Sequence, residues 1–436
     1  MDPVKVGLLG LGTVGGGTVN VLQRNAEEIA RRAGRGIEIV QASARDLTKQ
    51  RICDTENIQL TTDPAEVVDN PDVEVVLELI GGDTLAHEMV MRAIKNGKHV
   101  VTANKALIAK HGNEIFAAAQ DNDVMVAFEA AVAGGIPIIK SIREGLAANN
   151  IEWLAGIING TGNFILTAMR EEGRDFADVL AEAQRLGYAE ADPTFDVEGI
   201  DAAHKLTILA SIAFGMPLNF EAVHTEGITQ VTREDVTLAE ELGYRIKHLG
   251  IARRTPTGIE LRVHPTLIPE SRLLANVDGV MNAVLVQGDA VGPTLYYGAG
   301  AGDEPTASAV VADLVDVVRS LACEPQSRVP HLAFQPDQLE KFHLLPMDEV
   351  ETAFYLRMQV VDRPGVLAEL TAILAELEIS IEAVIQREPP QGESLVNIIF
   401  LTRVVKEKQM QRALDRFEEM DSIFGQLTRI RVESLR

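Results

Sequence analysis

Lys205 is the lone charged residue in the thirteen-residue run 202–214, Ala-Ala-His-Lys-Leu-Thr-Ile-Leu-Ala-Ser-Ile-Ala-Phe, and Asp201 stands four positions before it. A helix that is apolar all round is buried, and side chains at i and i+4 lie on one face. The pair is therefore expected beside Ile208 and Ile212, away from bulk water. Desolvation makes a lysine give up its proton more readily, which suits a general acid/base near neutral pH. A structural ion pair fits the same spacing equally well, and His204 reads as a hydrogen-bonded core histidine.

A second chemistry is written at the N-terminus. Gly10, Leu11, Gly12, Thr13, Val14 and Gly15 follow an apolar strand, residues 5–9, and open a helix through Val19 and Leu22. Glycines so placed permit a tight turn, close approach of a pyrophosphate and close helix packing, while the helix start offers N–H groups to an anion. At the tip of the second strand a dinucleotide site usually carries a carboxylate for the ribose hydroxyls. Here the order is Ala44-Arg45-Asp46, with Lys49 and Arg51 nearby. Arg45 favours a 2′-phosphate and hence NADP, Asp46 keeps NAD open, and a solvated basic turn is the plainer alternative.

Three further segments stand out. Lys105, in Thr102-Ala103-Asn104-Lys105-Ala106-Leu107, falls after an apolar strand, at the edge where open α/β sheets bind ligands. The loop Gly187-Tyr188-Ala189-Glu190-Ala191-Asp192-Pro193, with Asp196, is acidic enough to receive a cation or an amine, though solvation alone explains it. Gly298-Ala299-Gly300-Ala301-Gly302 leads into a helix and reads as a hinge or as backbone closing over a cofactor.

These residues need elements to hold them. Apolar runs at 4–9, 37–42, 73–79, 99–103 and 124–129, separated by helical stretches, predict a Rossmann-type doubly wound parallel sheet. Residues 134–303 mix long apolar helices with strands at 152–158, 258–264 and 280–287, an α+β domain. One helix is expected over 304–322, returning to the dinucleotide-binding domain of residues 1–133, and prolines punctuate a linker at 323–350. From 351 to 436 the pattern resets: strand 354–360, helix 366–377, strands 379–387 and 395–402, helix 406–419 and strand 426–432. That βαββαβ order is ferredoxin-like, so the fold class is α/β with an α+β and a ferredoxin-like addition.

The 436 residues suit roughly three domains at about 150 residues each. Acidic residues outnumber basic ones by 64 to 40, a net charge of -24, of which -21 lies in residues 1–350 and -3 in the C-terminal module. With only 4% aromatic residues, the chain lacks both the basic surface and the stacking platforms that nucleic acid requires, so no nucleic-acid partner is expected. Two cysteines, Cys53 and Cys323, make no disulfide framework and fit a reducing cytoplasm. No signal-peptide core opens the chain, and the longest uncharged run, 153–169, is too short for a bilayer. Asn159-Gly160-Thr161 matches a glycosylation sequon, accidental in a cytosolic chain.

In this order the segments resemble homoserine dehydrogenase over nearly the whole chain. The resemblance is carried by Gly10 to Gly15, Asn104-Lys105-Ala106-Leu107, Asn159-Gly160-Thr161, Gly187-Tyr188 with Glu190 and Asp192-Pro193, Asp196, and Asp201-Ala202-Ala203 with Lys205-Leu206. The stretch 187–206 is the most specific and shows no departure at these positions. The C-terminal module resembles an ACT domain, with Asp362-Arg363-Pro364-Gly365-Val366-Leu367 as its first strand-to-helix loop.

The resemblance implies NAD(P)-dependent interconversion of L-homoserine and L-aspartate 4-semialdehyde, on the route from aspartate to threonine, isoleucine and methionine. To the α+β domain of residues 134–303 it assigns catalysis and dimerisation. By position Lys205 matches the general acid/base with Asp201 beside it. Glu190, Asp196, Gly160 and Thr161 match the substrate site, and Lys105 a lysine reaching cofactor and substrate. Gly187 and Gly302 match cofactor contacts. A sodium-type monovalent cation site would fall on Glu129, Val132, Gly134 and Ile136. The ACT module implies feedback by threonine, and the family a homodimer or homotetramer. Because the first strand starts at Val4, no fused aspartate kinase is expected. Another amino-acid dehydrogenase and a non-catalytic ACT-linked dinucleotide sensor are the rival readings, the second disfavoured by a buried Lys205.

Overall fold

The first apolar run forms a strand whose Val4, Val6, Leu8 and Leu9 are all fully buried, as expected where helices cover both faces of a parallel sheet. The structure, a computed structural model, describes residues 2–386 and 395–435; Arg387, the last residue of the expected strand 379–387, lies outside them. By contacts the described chain forms two units, one of residues 1–160, 201–223 and 280–342, the other of 161–200, 224–279 and 343–436.

In the first unit β1 (Val4–Leu9), β2 (Ile37–Ser43), β3 (Gln59–Thr61), β4 (Val75–Glu78), β5 (His99–Thr102) and β6 (Val126–Ala127) are joined in the order β3-β2-β1-β4-β5-β6, every pair parallel. This is the doubly wound dinucleotide-binding order, and its reversal between β1 and β4 is where such sheets bind ligands. The expected strands appear with ends shifted by a residue or two. The exceptions are β3, too short to show a period, and β6, which stops after two residues. Beyond β6 the chain curls at Glu129–Ala131 because Asp313 takes the Glu129 N–H at 2.7 Å and the Glu129 carboxylate takes the N–H groups of Ile139 and Lys140 at 2.8 Å.

Five helices matter for the site: α1 (Thr13–Arg24), α2 (Thr84–Lys95), α3 (Lys105–Asp121), α4 (Ile200–Phe214) and α5 (Asp303–Ser320). Helix α5, far along the chain, buries Ala307, Val310, Leu314 and Val318 in one core with Val4, Val6 and Val19. Its start meets α1 at Gly17, where a Cβ would sit 2.8 Å from the backbone of Asp303. The same unit holds three antiparallel strands, Ile151–Ile157, Met281–Gly288 and Gly292–Ala299. The last was not anticipated, being glycine-interrupted and only half-buried.

The second unit pairs Tyr244–Thr255 with Gly258–Pro269 in a long hairpin. Strand Ile423–Val432 joins the edge of Gly258–Pro269 in parallel at Thr266 and Leu267, then pairs with Glu351–Val361, which pairs with Leu395–Thr402, which pairs with Ile381–Gln386. With helices Val366–Glu376 and Glu407–Glu418 this is the βαββαβ module, its strands in the spatial order fourth, first, third, second. Alternation along Glu351–Val361 sends Phe354, Leu356, Met358 and Val360 toward the two helices and Tyr355 into a core with Val179, Leu238 and Leu267.

Candidate active site

Three chain segments of the first unit meet at Asp201. Asn104 ends the turn after β5 and caps α3, its side-chain oxygen accepting the Leu107 N–H at 3.1 Å, so Lys105 takes the first helical position at the carboxyl edge of the sheet. Asp201 lies in the first turn of α4, where a negative charge is favoured. Lys205 Nζ donates to Asp201 Oδ2 and to the Ile158 carbonyl, each at 2.7 Å. Lys105 Nζ approaches Asp201 Oδ1 at 2.8 Å, and Asn159 Nδ2 donates to Oδ2 at 2.8 Å.

Asp201 and Lys205 are buried, whereas the Lys105 side chain is 35% exposed. Burial would push the Asp201 carboxyl up, but the Lys205 and Lys105 ammonium groups outweigh it and hold it well below the usual carboxylate range. Two ammonium groups on one carboxylate leave the cluster with a net positive charge, buried at Lys205 and open to solvent at Lys105. Positive charge and a lysine proton so placed are what an alkoxide forming nearby would need. Neighbouring His204 is buried against Phe220, ring centroids 4.3 Å apart, and burial first, then Lys110, push it down to about 4, so it is neutral.

The glycine-rich turn meets the requirements of a dinucleotide. Gly10, at φ 98, passes within 2.7 Å of the Leu79 carbonyl as measured from a would-be Cβ, and a Cβ on Gly15 would strike the Gly10 oxygen at 2.0 Å. A Cβ on Gly12 would meet nothing within 4 Å. That open space lies at the N-terminus of α1, where no side chain caps the helix. Leu11, Thr13 and Val14 complete the turn. Arg45 is exposed just beyond β2, while the Asp46 carboxylate turns back onto the Thr48 N–H at 2.8 Å and the Thr48 hydroxyl at 2.7 Å. Arg51 donates to the Leu11 carbonyl at 2.8 Å. Sequence reasoning did not single out buried Glu78, which accepts the Thr102 hydroxyl at 2.6 Å and the Ile80 N–H at 3.0 Å and so ties the tips of β4 and β5 together. Nor did it foresee that Asn159 would reach Asp201.

Gly160, also in this unit, packs where a Cβ would lie 2.7 Å from the Val280 carbonyl. Gly302, at φ 129, starts α5. In the second unit the Thr161 hydroxyl donates to the Tyr188 carbonyl at 2.6 Å. Gly187, at φ 79, ends helix Phe176–Leu186 in the left-handed conformation. Glu190 is exposed and Asp196 half-buried in the short helix Thr194–Val197.

The residues expected around a cation lie in one short turn-forming segment after β6. Ala133 and Gly134 are consecutive left-handed residues, φ 55 and 46, that fold the segment from Val132 to Ile136 back on itself. The Glu129 carboxyl beside it is pushed up to about 7, chiefly by burial and then by Asp313. A carboxylate followed within a few residues by backbone carbonyls is the all-oxygen donor set that a hard cation takes.

By class, strand order and glycine turn make this a dinucleotide-binding α/β protein with a lysine-paired carboxylate at the carboxyl edge of its sheet. Comparison with known proteins narrows it. The homoserine dehydrogenase profile matches residues 137–315, the homoserine dehydrogenase NAD-binding domain residues 10–129, and the ACT domain residues 354–421. The homoserine dehydrogenase of Pseudomonas aeruginosa is 66% identical over 435 residues, covering 100% of both chains, and that of Neisseria gonorrhoeae 57% identical over 438 residues with the same coverage. The crystal structure of a homoserine dehydrogenase from Thiobacillus denitrificans aligns with a TM-score of 0.96 at 66% identity, over 100% of this chain and 99% of that one. A hyperthermophilic archaeal homoserine dehydrogenase in complex with NADPH aligns at 0.61 and 26% identity, over 72% of this chain and 97% of that one. The chain belongs to the homoserine dehydrogenase family, and carries an NAD(P)-binding domain and an ACT domain. Among the described residues no helix is long and apolar enough to cross a membrane.

Proposed function

We propose that this chain interconverts L-homoserine and L-aspartate 4-semialdehyde with NADP as its main cofactor and Lys205 as the general acid/base. The observation that carries the reading is the buried carboxylate of Asp201 held between Lys205 at 2.7 Å and Lys105 at 2.8 Å. The nicotinamide, when bound, supplies or receives the hydride. Lys205 delivers its proton to the aldehyde oxygen as the carbon is reduced, and takes it back from the homoserine hydroxyl in the reverse direction. Asp201 orients Lys205, and Lys105 adds positive charge for the alkoxide and for the cofactor. Glu190 and Asp196 receive the substrate ammonium, with Gly160 and Thr161 in the same role of substrate binding, as the family resemblance implies.

NADP is favoured because Asp46 is engaged by Thr48 while Arg45 is exposed at the strand tip, and because an archaeal relative is described with NADPH. Gly187 and Gly302 keep their proposed place at the cofactor. Glu129, with the carbonyls of Val132, Gly134 and Ile136, would hold a sodium-type cation. The ACT module is read as the receiver of threonine, which places the enzyme under control of an end product of its own route. By role the chain divides into residues 1–133, 134–303 and 351–436, working as a homodimer or larger in the cytoplasm. Cofactor oxidation with L-aspartate 4-semialdehyde against a panel of other oxo acids tests the reading. Turnover confined to the semialdehyde is expected, and faster turnover of another oxo acid overturns it.

A further inference from the structure

Helices α2 and α3 run side by side in the first unit, and His87 on α2 faces His111 on α3. Their rings stack with centroids 4.5 Å apart at an interplanar angle of 28°. Glu114, three residues after His111 and so on the same face of α3, brings Oε2 to 3.3 Å from His87 Nε2. That nitrogen is buried and completes no hydrogen bond. One donor atom from each of the three side chains lies within 4.8 Å of the other two. The nearby charges of Lys110 and Asp83 neutralise one another at 2.9 Å.

From this geometry we infer that His87, His111 and Glu114 form a binding site for a zinc-type divalent transition cation, separate from the Asp201 cluster. Imidazole nitrogen suits Zn²⁺, Cu²⁺ or Ni²⁺ rather than Mg²⁺ or Ca²⁺. Ligands on a tetrahedral zinc lie about 2.0–2.2 Å from the metal, so the three donors must draw in from their present spacing. Rotation of Glu114, 61% exposed at the helix surface, supplies most of that, with a smaller turn of His87, 26% exposed. Three protein donors leave a fourth position to water. A bound ion would tie α2 to α3, the helix whose first residue is Lys105.

Calorimetric titration of the full chain with Zn²⁺, in a Cys53→Ser, Cys323→Ser background that removes thiol binding, tests this. One Zn²⁺ per chain is expected, with no heat from Mg²⁺, a raised melting temperature, and Co²⁺ absorption bands of nitrogen and oxygen coordination. His111→Ala and the milder surface change Glu114→Gln should each weaken Zn²⁺ on the order of tenfold or more, with Glu114→Gln keeping the metal-free melting temperature of the parent. Absence of Zn²⁺ binding, or binding undiminished in both variants, overturns the site.

Discussion

Lys105 and Lys205 share a single carboxylate: Asp201 Oδ1 lies 2.8 Å from the first ammonium and Oδ2 2.7 Å from the second. One lysine opens a helix at the edge of the parallel sheet and the other is buried in a helix from a distant part of the chain. The carboxylate thus fixes two positive groups at one place, the requirement for protonating and stabilising an alkoxide as it forms.

In the proposed function the exposed guanidinium of Arg45 would meet the 2′-phosphate of the cofactor. Arg45→Ala should lower kcat/KM for NADPH by roughly tenfold or more, the worth of a charge-assisted hydrogen bond, and leave that for NADH nearly unchanged. Steady-state kinetics with both cofactors decide it, and an unaltered preference contradicts the assignment.

Some of this was legible in the residues. The strand, turn and helix at 4–24 and the βαββαβ order at the C-terminus are local patterns, repeated within a few residues and therefore readable. Asp201 and Lys205 are one helical turn apart, so their pairing was readable too. What the sequence could not show was the approach of Lys105 and Asn159 to the same carboxylate, because nothing local couples those positions. The turn of Asp46 onto Thr48 and of Arg51 onto the Leu11 carbonyl depends on how one loop folds back, and the basic residues after β2 gave no sign of it. Strand Gly292–Ala299 was missed because its half-buried glycines and tyrosines make no alternation. The histidine pair His87 and His111 is formed by two helices packing, which no spacing along the chain records.

Two histidines of the first unit act as acceptors. His99 Nδ1 takes the Met125 N–H at 2.9 Å and His331 Nε2 takes the Val126 N–H at 3.2 Å. Burial, and after it nearby guanidinium groups, push both down to about 4, against an ordinary value of about 6.5. Between these values the unfolded chain binds protons that the folded chain refuses, so their contribution is complete above pH about 6.5 and is lost as pH falls toward about 4. Between pH 7 and pH 5 the urea midpoint should lose more in the parent than in His99→Asn, His331→Gln, whose amide groups take the places of Nδ1 and Nε2 and whose oxygens still accept. An equal fall in the variant contradicts the account.

The cation assignment predicts that sodium chloride raises the melting temperature more than tetramethylammonium chloride at equal ionic strength. Glu129→Gln should remove that difference. Persistence of the difference in the variant would place the ion elsewhere.

Within the second unit Arg431, on the last strand of the ACT module, donates to Glu226 at 2.7 and 2.8 Å and to Glu407 at 3.0 and 2.7 Å. Two residues on from Glu226, Ile228 N–H donates to the carbonyl of Val197, next to Asp196, at 2.8 Å. If threonine binds the module as proposed, this connection is the route by which it would reach Asp196. Glu226→Gln should weaken inhibition by threonine several-fold, as coupling free energies of this kind run about 1–3 kcal/mol, and leave threonine binding measurable by calorimetry. Absence of both threonine binding and inhibition at saturating threonine would remove the regulatory reading.

The most direct test is turnover of L-aspartate 4-semialdehyde by Lys205→Ala. Loss of a positioned general acid predicts a fall in kcat of roughly 10²–10⁴-fold, with NADPH affinity retained and the far-ultraviolet circular dichroism of the parent. A kcat within a few-fold of the parent would contradict the assignment of Lys205 and with it the proposed chemistry of the site.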